Sequence, residues 1–247
     1  MNPRNLDPAC LDTDTTTKHR PISKLLSSAL WLFLRSQVEQ VSHLEVQIAS
    51  SGRQILSGSI PRLSIFADRV VYKGLHFAKV RLVGEGMQTN LSQVIRGQPL
   101  RLLEPIAVSG EVVLQETDLN ASLQSNLLSN ALSELLSKLD LSHNVVRERI
   151  SWNKIAIAPE GLLPECLLLQ GTAGNSSNTT PVTLKCVLQL ANCHTLMLTR
   201  SQLQISANST WEQLEDHTID LGSHVNLTEL TLESGQIICR GSITVMP

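Results

Sequence analysis

Residues 21–37 read PISKLLSSALWLFLRSQ, and this stretch decides the fold. The apolar spacing predicts a helix from Ile22 to about Val41, with Pro21 placed where a first helical residue favours proline. At 100° per residue, Ile22, Leu25, Leu26, Ala29, Leu30, Leu32, Phe33 and Leu34 fill an arc of about 200°, and a surface helix needs only about half of that. Such a helix is about 30 Å long, and it must be covered on more than one side or meet something apolar. Trp31 falls on the opposite side, close to Lys24 and Arg35. A tryptophan among cations suits a membrane interface; the other reading is a ring packed on a sheet. The run is too short to span a bilayer, which takes roughly 20 apolar residues. It is followed by Arg35-Ser36-Gln37-Val38-Glu39 rather than by a small-residue cleavage site. The expectation is a cytoplasmic protein with peripheral membrane contact, without signal peptide or transmembrane helix.

On the N-terminal side, residues 1–20 are polar, rich in Thr and Asp, and lack periodicity. They read as a disordered tail. On the C-terminal side, strands begin. Leu44, Val46 and Ile48 alternate with polar residues. Residues 75–87 carry apolar side chains on both faces, as in a strand covered on both sides. Residues 90–95 suggest one helical turn capped by Asn90, and Val108, Val112 and Leu114 mark another strand. Thr117-Asp118 opens a second helical region. There Leu119 and Leu123 share one face while Leu128, Leu132, Leu135 and Leu139 share another, so a break near residues 124–126 is required. Strands are expected again at 150–159, 167–171, 182–190, 195–205 and 235–245, with an exposed Asn/Ser/Thr-rich loop at 174–180. No Pro/Gly linker divides the chain. Residues 21–247 read as a single α+β domain.

The net charge of −2 hides an asymmetry. Residues 21–110 hold ten Lys or Arg against five acids, and residues 111–247 hold seven against fourteen. A basic front half suits an anionic surface; plain solvated surface is the other reading. Nucleic acid is not expected, because the cations are not interleaved with stacking aromatics and the isoelectric point is near neutral. The five cysteines form no CxxC and read as reduced, mostly buried thiols. His217 and His224 flank an acidic segment with Glu215 and Asp216, but four-ligand spacing is absent and the segment reads as a solvated loop. Gly84-Glu85-Gly86 lacks the rest of a phosphate loop, and no G-x-S-x-G elbow occurs. Asp118 reads as a helix N-cap rather than a catalytic acid. No enzyme, cofactor or metal is expected.

Five segments in this order then carry a resemblance: residues 21–37, Val71-Tyr72-Lys73-Gly74-Leu75, residues 96–103 (RGQPLRLL), residues 118–123 (DLNASL) and residues 235–247 (GQIICRGSITVMP). Together they resemble the LmeA-like phospholipid-binding family of bacteria, over about residues 21–247. The resemblance implies a long N-terminal helix packed in a highly curved antiparallel sheet, as in tubular lipid-binding proteins. It also implies a lipid groove between helix and sheet, and phospholipid binding without established catalysis. Exported members begin with a signal or lipid anchor, which the polar tail here lacks.

The functional expectation is a phospholipid-binding protein that holds acyl chains on Ile22, Leu26, Leu30 and Phe33 and touches anionic membrane with Lys24, Trp31 and Arg35. The rival reading is an assembly protein whose apolar helix docks a protein partner. Since the tail has no apolar periodicity, a chain starting at Arg20 should melt at the temperature of the full chain in a calorimetric scan. A large loss of thermal stability would mean that the tail is packed.

Overall fold

The structure, a computed structural model, describes residues 20–49, 58–94, 97–138, 150–157, 166–175 and 178–247. Residues 1–19 of the expected tail lie outside the described residues, as do the side chains of residues 20–26. Helix α1 runs Arg20–Gln37 and ends four residues before the expected Val41. The cause is strand pairing: the Glu39 N–H donates to the Val71 carbonyl at 2.9 Å, and the Val71 N–H donates to Gln40 at 2.8 Å. The backbone has therefore left the helix before β1 (His43–Ala49) begins.

The protein is α+β and dominated by antiparallel sheet. After β1 come β2 (Ser59–Tyr72), β3 (Leu75–Gln88), the single turn α2 (Leu91–Val94), β4 (Ile106–Gln115), α3 (Glu116–Ser122) and α4 (Asn126–Lys138). There follow β5 (Ser151–Ile157), β6 (Cys166–Asn175), β7 (Asn178–Asn192), β8 (Thr195–Ile205), β9 (Glu212–Gln213), β10 (His217–Asp220), β11 (Val225–Glu233) and β12 (Gln236–Val245). One sheet has the order β1-β2-β3-β4-β12-β11; the other has β10-β8-β7-β6-β5, with β9 beside β8. The last two strands thus return to the first sheet, and β12 pairs with β4 over its whole length.

Several expectations are met by residue. Leu44, Val46 and Ile48 are the half-buried positions of β1 and alternate with exposed ones. The helical region breaks between Ser122 and Asn126. Others need correction. The 174–180 loop is mostly strand, since Gly174 pairs with Thr179 and Asn175 with Asn178. The acidic segment is not a solvated loop. Glu212 and Gln213 pair with β8, His217–Asp220 pair with Leu198–Thr195, and Leu214 is buried in the core between them. Asp118 is not the N-cap. It sits at the third helical position and accepts the Gln115 N–H at 2.8 Å, capping from inside the first turn.

One face of the first sheet is covered in two halves. Along β12, Ile237, Cys239, Ile243 and Val245 alternate onto the same side. Ile237 and Cys239 join the larger core with residues of β5–β8, α3 and α4, including Ile155, Leu184, Leu203, Leu123 and Leu135. Val245 packs instead on a smaller cluster of Leu30, Ile60, Leu63, Met87, Ile106 and Val108 beneath α1. The opposite face carries charge: Arg81 reaches Glu111 at 3.3 Å, and Arg240 bridges Glu111 and Glu229 at 2.8 and 2.7 Å. The Arg240 hydrogen bond holds the Glu229 carboxyl below its ordinary range.

Helix α3 ties the two sheets together. The Asn120 amide donates to the Ile155 carbonyl and accepts the Ile155 N–H, both at 2.8 Å, and Glu116 accepts the Ile157 N–H at 3.0 Å. These side chains satisfy backbone groups on the outer edge of β5. On the other side, the His76 N–H of β3 donates to Ser122 Oγ at 2.8 Å. The β2–β3 turn also docks here. Lys73 and Gly74 both have positive φ, as a two-residue hairpin turn requires, and a Cβ on Gly74 would lie 2.9 Å from Ser125 Cβ.

Close approach of strands is set by Gly110 on β4. A Cβ there would collide with the Arg81 carbonyl and lie 2.6 Å from Leu82 Cδ2. Gly110→Ala should therefore cost about 1–3 kcal/mol, as overpacking does, read as a lowered urea midpoint with unchanged slope. An unchanged midpoint would mean that β3 and β4 separate freely.

Candidate functional site

Residues four apart on a helix share a face, and α1 turns Leu30 and Leu34, with Phe33 beside them, toward the first sheet. Facing them are alternate residues of four strands. One cross-strand row reads Leu63, Gly84, Val108, Ile243, each paired with the next. Ile65 and Leu82 form a pair in the adjoining row. Gly84 leaves the middle of the first row without a side chain, and a groove of about 370 Å³ lies between helix and sheet. A Cβ on Gly84 would meet Met87 Sδ at 3.3 Å, Ile106 Cδ1 at 3.5 Å and Val108 Cγ2 at 3.7 Å, so these neighbours close in over the glycine and a larger residue here would have to push them toward the groove. Leu30, Leu63, Met87 and Ile106 form a buried floor; Phe33, Ile243 and Met246 form a rim that is 40%, 42% and 54% exposed.

Two of the residues lining the groove are polar: Thr89 and Arg101. The Thr89 hydroxyl is spent on the Gly58 carbonyl at 3.0 Å. Arg101 is exposed, and its backbone is held by a buried side chain. Asn90 accepts the Arg101 N–H at 2.7 Å and donates to the Pro99 carbonyl at 2.9 Å; its own N–H donates to the Arg101 carbonyl at 3.2 Å. The sequence reading placed Asn90 as a cap for α2. Asn90 does stand at the cap position, its carbonyl accepting the Val94 N–H at 3.2 Å, but its side chain binds the 99–101 segment across the turn and pairs two backbone groups, the Pro99 carbonyl and the Arg101 N–H.

A second pocket, of about 680 Å³, is lined by polar residues that include His43, Asp68, Arg69, Lys79 and Asp118. Among the described residues, no group of three or more His, Cys, Asp or Glu side chains is placed to hold a metal ion. Asp216 accepts the Arg200 N–H at 3.2 Å rather than facing His224. Cys166, Cys186, Cys193 and Cys239 are free thiols. Burial pushes Cys186 up to about 12 and Cys239 up to about 11, so these thiols stay neutral near pH 7 and are not activated as nucleophiles. Among the described residues, no helix is long and apolar enough to cross a membrane.

A family model described as LmeA-like phospholipid-binding matches residues 17–242. The chain belongs to the LmeA-like phospholipid-binding family. Comparison with the curated proteins and with the solved structures finds no match.

In this member of the LmeA-like family, two of the four residues expected on the acyl-chain side, Leu30 and Phe33, line the groove. The side chains of Ile22, Leu26 and Lys24 lie outside the described residues. Gly84, Asn90 and Arg101 were not anticipated. An isolated glycine inside a two-sided apolar strand was the available signal for the first. Arg35 donates to the Val38 carbonyl at 3.2 Å, and Trp31, 42% exposed, donates its indole N–H to the Leu44 carbonyl of β1 at 3.2 Å. Leu32 is 64% exposed, so α1 is less covered than its apolar arc suggested. Trp31→Ala should cost about 1 kcal/mol in chemical denaturation, the value of one hydrogen bond. A loss of about 3–5 kcal/mol, as for buried aromatics, would mean that the ring is core.

Proposed function

We propose that this chain binds phospholipid without transforming it, seating an acyl chain in the groove between α1 and the first sheet. The observation that carries this reading is the apolar groove itself, lined by Leu30 and Phe33 of the helix and by Leu63, Gly84, Val108 and Ile243 of the sheet. Its volume of about 370 Å³ falls at the low end of the ~300–1,000 Å³ typical of ligand sites. That suits a single chain better than a whole two-chain lipid. We further infer that the sheet curves around α1 in the tubular lipid-binding manner, which the contacts of Leu30 with β2, β3 and β4 support.

Membrane contact is part of the same proposal. The exposed rim of Phe33, Ile243 and Met246 is an apolar patch at the mouth of the groove, with Trp31 and Arg35 on the same helix as Phe33. Magnitudes rank the contributions. Each cation near an anionic surface supplies roughly 1 kcal/mol, whereas about six buried methylenes supply roughly 5 kcal/mol. Acyl burial therefore dominates affinity and charge tunes the approach. The exposure of Leu32 favours a second reading, a helix face that docks a protein partner; a lipid-free protein that purifies only as a hetero-complex would support it.

Gly84→Leu tests the groove directly, because the new side chain crowds Met87 and Ile106, which line the same groove. Native mass spectrometry of the purified, folded protein should show bound phospholipid in the wild type and little in Gly84→Leu, which overpacking destabilises by about 1–3 kcal/mol. A folded Gly84→Leu protein carrying the wild-type lipid load would overturn the proposal.

A further inference from the structure

We propose that Arg101 holds the phosphate of the bound lipid at the mouth of the groove, and that Asn90 is the residue that positions it; this rests on the acyl-chain reading above. A groove sized for one chain leaves the headgroup outside, so the polar end of the ligand must lie on the rim. Among the described residues lining the groove, Arg101 is the one that carries a charge. Among the described residues, no carboxylate pairs with it. The neighbouring cations differ: Arg62 is bound to Glu85 and Arg81 to Glu111. A guanidinium presents a planar fork of donors that matches a phosphate geometrically.

Placement is the second observation. Arg101 follows Pro99 and Leu100 in a segment without regular structure, and such a segment would not by itself aim a long side chain. Asn90, 6% exposed, binds that segment at the Pro99 carbonyl and at both backbone groups of Arg101. On either side, Leu102 bridges to Thr89, and the Leu103 N–H donates to Gln88 at 2.8 Å. The root of the Arg101 side chain is thereby anchored to the end of β3, whose Gly84 and Met87 line the same groove. One rigid strand end carries both the apolar floor and the cation.

The shared chemistry is a phosphate, and its source is tested with defined probes. Affinities of the full chain for dioleoylphosphatidylglycerol and for dioleoylglycerol, each in neutral detergent micelles, give a ratio that reports the headgroup alone. Arg101→Gln should lower that ratio about 10- to 100-fold, the worth of hydrogen bonds to a charged group. Arg101→Lys should give an intermediate loss, and Asn90→Ala, if folded at the assay temperature, should also lower the ratio with Arg101 still present. An Arg101→Gln ratio equal to the wild type overturns the assignment of Arg101 while leaving the groove reading intact. A wild type that binds neither lipid removes the groove reading and this assignment with it. Inorganic phosphate is the remaining arm: if it binds wild type and Gly84→Leu equally well, and not Arg101→Gln, the ligand is free phosphate and the lipid headgroup assignment fails.

Discussion

The paired hydrogen bonds between Asn120 and Ile155 are the constraint on which the arrangement of the two sheets depends. An amide side chain presents an N–H and a C=O side by side in the geometry of a peptide group, so Asn120 stands in for a neighbouring strand at the edge of β5, while its second N–H donates to the Glu116 carbonyl at 2.7 Å. Ser122, two residues on and so on the other side of the helix, serves β3 of the other sheet. A helix of seven residues is too short to be stable by itself, yet these side chains and the Asp118 cap hold it in place. An exposed strand edge also invites pairing with other chains, and Glu116 and Asn120 cover this one.

That junction explains why a groove exists at all. The second sheet covers the face of β11 and the first half of β12, where Ile237 and Leu232 join the larger core. The far end of the same face extends beyond it, and α1 covers that end with few large side chains pointing inward. Of the described helix residues, Leu30 is buried while Leu32 and Phe33 are exposed. Gly84 then removes one more side chain from the sheet. The result is apolar surface without partner atoms, the condition under which an apolar ligand gains most from entering.

Some cations of the basic front half are engaged within the fold. Arg62 and Arg81 lie on the outer face and are committed to Glu85 and Glu111, while Arg35 is turned back on Val38. Exposed pairs of this kind contribute about 0–1 kcal/mol each. Their main effect is to keep a wide, polar sheet face soluble and in register. Arg101 is the described cation whose surroundings are apolar on one side and open on the other.

Much of the local structure was legible because it depends on near neighbours. The alternation of β1, the bounds of β8 and the break between α3 and α4 follow from spacing that any short window contains. The family was legible too, in five motifs spread along the chain. β11 was not, because a bulge at Thr228 shifts its register between Leu227 and Glu229 and breaks the alternation. The strands at 212–220 were hidden by their charge, since their partner is β8 rather than each other. What the sequence by itself determined is which residues are apolar and with what period, hence which faces must leave water. Only the tertiary structure decided which of those faces meet a partner and which line the groove between α1 and the first sheet. Packed core and empty groove call for the same apolar side chains; what separates them is whether atoms from a distant strand or helix arrive to fill the space.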